Sequence, residues 1–62
     1  MCEANVYLLD EEGNANLLLD AVDKVIPQGS DHIYLENIYG ERKTIQAKIK
    51  EMHLVDHKII LE

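Results

Sequence analysis

Arg42-Lys43-Thr44-Ile45-Gln46-Ala47-Lys48-Ile49-Lys50 is the stretch that decides the fold. Ile45, Ala47 and Ile49 alternate with Thr44, Gln46, Lys48 and Lys50. Lys, Gln and Ala are good helix formers, so a helix is the rival reading. On a helix, however, the three apolar groups would spread over three sides and leave no continuous stripe to bury. A period of two buries them all on one face, which predicts a strand.

Working toward the start, Tyr39-Gly40-Glu41 predicts a hairpin turn with Gly40 at positive φ. His32 to Ile38 reads as its partner strand, with Ile33 and Leu35 on one face and His32, Tyr34 and Glu36 on the other. Pro27-Gln28-Gly29-Ser30-Asp31 is the strongest turn signal in the chain. Two short strands precede it, Asn16 to Leu19 and Val22 to Ile26, kinked from one another at Asp20-Ala21. Asp10 to Asn14 is a turn, and Glu3 to Leu9 a first strand with Ala4, Val6 and Leu8 on one face.

Toward the end, the phase shifts after Glu51 to Met52 and Leu54, which predicts a bulge. Val55 to Lys58 turns, and Ile59-Ile60-Leu61 forms a last strand, apolar on both faces. The chain therefore reads as all-β: five to six short strands in a small antiparallel β-barrel or curled sheet, with residues 1–62 forming a single small domain. As an edge, the last strand would need covering, and a homodimer covers it.

Composition narrows the function. A chain of 62 residues buries only about 60% of its unfolded surface, so its stability is marginal. One cysteine excludes an internal disulfide, which leaves tight packing or a partner subunit to hold the fold. Twelve acidic residues against six basic give a net charge of -6, the wrong sign for a nucleic-acid binder. No apolar run approaches the ~20 residues of a membrane-spanning helix, and Glu3, Asn5 and Asp10 interrupt any export signal. A lone cysteine without such a signal points to the cytoplasm. Enzymatic constellations are sparse: Ser30 has no elbow motif, the glycines are far apart and Glu11-Glu12 sits in a solvated turn. The chain reads as a non-enzyme.

Cys2 is the residue with the most chemistry. Removal of the initiator Met leaves an N-terminal Cys, whose α-amine and thiolate close a five-membered ring on a metal ion. The amide nitrogen of Glu3 lies on the same arm. Nitrogen and sulfur in a planar array suit Ni(II) or Cu(II). Two such arms from a dimer supply a four-coordinate site. The bland alternative is an inert thiol at a frayed terminus.

His32, His53 and His57 are the next candidate ligands. Asp31 and Asp56 each precede a histidine and are placed to orient its ring, although exposed turn histidines are the plainer reading. Arg42, Lys43, Lys48 and Lys50, near Tyr34 and Tyr39, could contact RNA by charge and stacking, or form a solvated face balanced by Glu36, Glu41 and Glu51.

The start Met1-Cys2-Glu3-Ala4, the Tyr39-Gly40-Glu41 hairpin and the end from Lys50 to Glu62 together resemble the CooT family along the whole chain. Its members are small nickel-binding proteins linked to maturation of carbon monoxide dehydrogenase. The resemblance implies a cytoplasmic homodimer that binds Ni(II) through Cys2 and acts as a metallochaperone or nickel store for a client nickel enzyme. Hydrogenase-maturation chaperones of the HypC type also begin Met-Cys, but this sequence lacks the Pro they keep shortly after the Cys. The competing functions are a metal-independent interaction module and an RNA-binding small barrel.

Overall fold

The computed structural model describes residues 3–62. Six strands follow one another: β1 (Ala4–Leu9), β2 (Ala15–Gln28), β3 (His32–Asn37), β4 (Arg42–Gln46), β5 (Ile49–His53) and β6 (Lys58–Leu61). They form one sheet in the order β4-β3-β2-β1-β6-β5.

The first four strands make an antiparallel meander, each turn carrying the residue its geometry demands. Gly40 takes φ 84° at the β3–β4 turn. Asn37, only 2% exposed, holds that turn. Its Oδ1 accepts the N–H groups of Tyr39 and Glu41 at 3.1 and 2.8 Å, and its Nδ2 donates to Glu41 at 2.7 Å. Every polar atom of this buried amide is thereby paired, as burial requires.

The run from Arg42 to Lys50 is not one continuous strand. It leaves one edge of the sheet and joins the other at Ala47-Lys48. Ala47 N–H still bonds Asp31 O on the β3 side at 3.0 Å, while Lys48 and Glu62 exchange backbone bonds at 3.0 and 2.9 Å on the β6 side. β4 therefore pairs only with β3, and β5 only with β6. Of the two forms expected, the sheet does not close into a barrel and is compatible with the curled sheet. The expected alternation holds up to the crossing, where Ile45 packs against the core and Ala47 is buried, and fails beyond it, where Ile49 is exposed (37%).

The sheet is also mixed, not wholly antiparallel. β4 and β5 run in the same sense across the break. The turn after β5 then sends β6 alongside β1 in parallel, with Asn5 opposite Lys58 and Leu8 opposite Leu61. β6 thus lies inside the sheet, between β1 and β5. Ile59 is 7% exposed and Leu61 fully buried, so the chain covers its own last strand. The edge-strand argument for a homodimer does not hold; the edges are β4 and β5.

The two short strands expected around Asp20-Ala21 are one strand of 14 residues, bulged rather than ended at the kink. Ala21 takes φ 51°, and pairing with both neighbours slips beside it. The bulge expected after Glu51 occurs just before it, between Ile49 and Glu51. The core gathers Val6, Leu19, Val22, Ile33, Leu35, Ile59 and Leu61 from β1, β2, β3 and β6, with Ala47 from the link between β4 and β5. Leu54 (74% exposed), Val55 (92%) and Met52 (56%) remain in solvent near the β5–β6 turn.

Candidate metal-binding site

Cys2 lies outside the described residues. The site is therefore built from what immediately follows it. Glu3 is half-buried at the entry to β1. Two residues on, Asn5 ties together three distant parts of the chain. Its N–H donates to His57 O, in the β5–β6 turn, at 2.9 Å. Its Oδ1 accepts the N–H of Ala21, in the β2 bulge, at 3.2 Å. Ala21 and His57 are the described non-glycine residues at positive φ, both at 51°. Such backbone costs about 1–2 kcal/mol per residue relative to ordinary regions and collects at functional sites.

Around this clamp lies a hollow of about 290 Å³, lined by Glu3, Asn5, Asp20, Ala21 and His57. A second hollow of about 440 Å³ adjoins it and shares Glu3 and His57. Its walls are mainly apolar, with Ala4, Val22, Leu54 and Ile59 among them. Among the described residues, no three His, Cys, Asp or Glu side chains gather closely enough to hold a metal ion.

The three histidines separate clearly. His32 Nδ1 lies 2.8 Å from Asp31 Oδ1, in the pairing expected from sequence. It lines a different hollow, with Pro27 and Ala47. His53 Nε2 lies 2.8 Å from Glu51 Oε1 rather than using a neighbouring Asp. The expected Asp56–His57 bond does not form, and the His57 ring has no hydrogen-bond partner among the described residues. His53 and His57 both line the larger hollow beside Glu3; His32 does not.

Of the basic and aromatic residues of the outer face, Tyr34, Lys24 and Arg42 converge on Glu36. Tyr34 OH donates to Glu36 Oε1 at 2.5 Å, and Lys24 and Arg42 approach the same carboxylate at 3.5 and 3.6 Å. The Tyr34 hydrogen bond, aided by both cations, holds the Glu36 carboxyl below its usual range. The expected balance by Glu36 is seen for Arg42, while Glu41 and Glu51 bond Asn37 and His53 instead. No helix of the described residues is long and apolar enough to cross a membrane.

Asn5 and Ala21 were not legible as site residues. A polar residue in β1 gives only a weak signal, and nothing in an Asp-Ala pair announces a left-handed backbone.

The fold and this N-terminal clamp define a small, all-β protein with an open curled sheet and a polar hollow beside its first strand. The chain belongs to the CooT family: it matches the family described as CO dehydrogenase accessory protein CooT over residues 1–62. It is similar to a crystal structure of a protein designated CooT from Carboxydothermus hydrogenoformans, at 47% identity and a TM-score of 0.86, covering 97% of this chain and 94% of that one. No curated protein matches it.

Proposed function

We propose that this accessory protein binds nickel(II) through Cys2 and serves as a cytoplasmic metallochaperone or nickel store for a nickel enzyme such as carbon monoxide dehydrogenase. The observation that carries this reading is the whole-chain match to an accessory-protein family of that enzyme. Accessory proteins of metalloenzymes handle metal or assemble the client, and the chain has one thiol, at Cys2. The α-amine and thiolate of Cys2, with the Glu3 amide nitrogen, form the chelate. Half-buried Glu3 and the Asn5 bonds give that arm a fixed base. Two arms in a homodimer complete four-coordination.

Calorimetric titration of the tag-free, Met-processed protein with NiCl2 tests this. Saturable binding that Cys2→Ala abolishes is expected, and light scattering should give twice the chain mass. Absence of heat in the parent would overturn the reading. The second reading is metal-independent docking, favoured by the exposed Leu54 and Val55. It predicts client binding that is indifferent to nickel and to Cys2→Ala.

A further inference from the structure

We infer that the β5–β6 turn is the surface on which two copies of this chain associate, Val55 of each entering the apolar hollow of the other. This rests on the proposed homodimer and goes beyond it by naming the surface that forms it. Every residue from Lys48 to Lys58 is exposed. Of the large hydrophobic side chains exposed among the described residues, half fall in this stretch: Ile49, Met52, Leu54 and Val55. Clustered exposure of that kind marks a contact surface, whereas scattered apolar residues do not. His57 N–H donates to Leu54 O at 3.3 Å and closes the turn, with Val55 inside it, 92% exposed. Turn positions favour Gly, Asn, Asp or Ser, so a valine there adds nothing to the turn itself.

The hollow of about 440 Å³ adjoins this turn, with Leu54 as one wall and Val22, Val25 and Ile59 as others. Val22 and Ile59 belong to the core, so the hollow opens onto it. Projection and hollow lie side by side on one chain, so a two-fold axis lets each copy fill the other, as an isologous dimer requires. Charge favours a second copy at this place. From Lys48 to Lys58 three lysines stand against two carboxylates, whereas the rest of the chain has three cations against ten carboxylates. Two acidic chains therefore repel each other least here. The entering turn carries Lys58, and the rim that it meets carries Glu3 and Asp23. Edge-to-edge pairing is not the route. Lys43 on β4 lies opposite buried Leu35 and so shares the core face, and β5 is bulged between Ile49 and Glu51. Both features block strand addition, which leaves side chains to make the contact.

Sedimentation of the full-length, tag-free chain without metal, over a range of concentrations, tests this on four proteins: the parent, Val55→Asp, Val55→Lys and Leu17→Asp. Leu17 is also exposed, at 57%, but lies on β2 away from the hollow, so its variant controls for an added charge. The parent should dimerise. Both Val55 variants should raise the dimer dissociation constant by about thirtyfold or more, the scale of an interface hot spot, and Leu17→Asp should not. Circular dichroism and urea unfolding of the dilute, dissociated chain should be unchanged by the Val55 substitutions, because the side chain acts only between copies. If the Val55 variants dimerise like the parent, or Leu17→Asp dissociates as they do, the surface assignment falls and the homodimer stands. If the parent stays monomeric at every concentration, the homodimer and the surface fall together, while nickel binding by Cys2, read separately by calorimetry, is not decided by that result.

Discussion

Ala21 and His57 share a conformation and a partner: each holds φ 51° without being glycine, and each is hydrogen-bonded by Asn5, one through its side chain and one through its backbone. One residue of β1 thus stabilises two strained positions that lie 36 residues apart in sequence. The strain at Ala21 is testable. A left-handed alanine costs about 1–2 kcal/mol, and the extra freedom of an unfolded glycine offsets about 0.5–1 of any relief. Ala21→Gly should therefore raise stability by about 0.5–1 kcal/mol in urea unfolding. Asn5→Ala, which leaves the Ala21 N–H without its acceptor, should lower stability by about 1–2 kcal/mol.

The core makes a sharper prediction. Leu35, on β3, is fully buried, whereas Val55 is 92% exposed. Leu35→Ala should cost about 2–5 kcal/mol. A chain of this length has only about 3–9 kcal/mol in total, so much of the variant should be unfolded at 37 °C. Val55→Ala should stay within about 0.5 kcal/mol of the parent. Equal losses in both would place the core elsewhere.

Much of the fold was legible in the sequence because it depends on local pattern. Ile33 and Leu35 face inward as their alternation required, and Gly40 turns the hairpin it was expected to turn. What was not legible depends on contacts between distant residues. The bend at Ala47-Lys48 exists because Asp31 and Glu62 offer backbone partners on opposite sides, and no local signal marks it. The parallel placement of β6 follows from that bend. Away from the candidate site, the Asp31–His32 pair could be read from neighbours, whereas the Asn5 clamp joins residues 5, 21 and 57 and has no local signature.

Two carboxylates set the acid side of the stability curve. Asp10 accepts backbone N–H bonds from Asn14 and Glu12, both at 2.9 Å, which hold its pKa below the usual 3.8. The Tyr34 hydroxyl does the same for Glu36, below the usual 4.5. A carboxyl with a lowered folded-state pKa stabilises the fold above its unfolded value. That contribution is lost as pH falls through the lower folded value. Stability should therefore hold at neutral pH and decline below about pH 4.5 as these groups take up protons. Asp10→Asn keeps an acceptor for the turn but removes the charge, so its urea midpoint should change less between neutral and acid pH than the parent's. An identical acid slope would exclude Asp10 as a contributor.

The chemistry proposed for Cys2 fixes how nickel binding must vary with pH. Thiol and α-amine both lose protons when the metal takes them, so binding releases protons and strengthens as pH rises. The free thiol titrates near 8.5 and the α-amine near 8, and the metal pulls both lower. Affinity should be weak at about pH 6 and climb steeply toward about pH 8, flattening once both donors are deprotonated in the free protein. A thiolate-to-nickel charge-transfer band in the near ultraviolet should rise along the same curve. Calorimetry in buffers of different ionisation enthalpy counts the released protons directly. Cys2→Ser keeps the size and the amine but offers a hard oxygen in place of a soft sulfur, so it should lose both the band and tight binding. Its unfolding curve without metal should match the parent's, since the described core from Val6 to Leu61 is unchanged. Nickel affinity that stayed flat across this pH range would remove thiolate and amine from the ligand set.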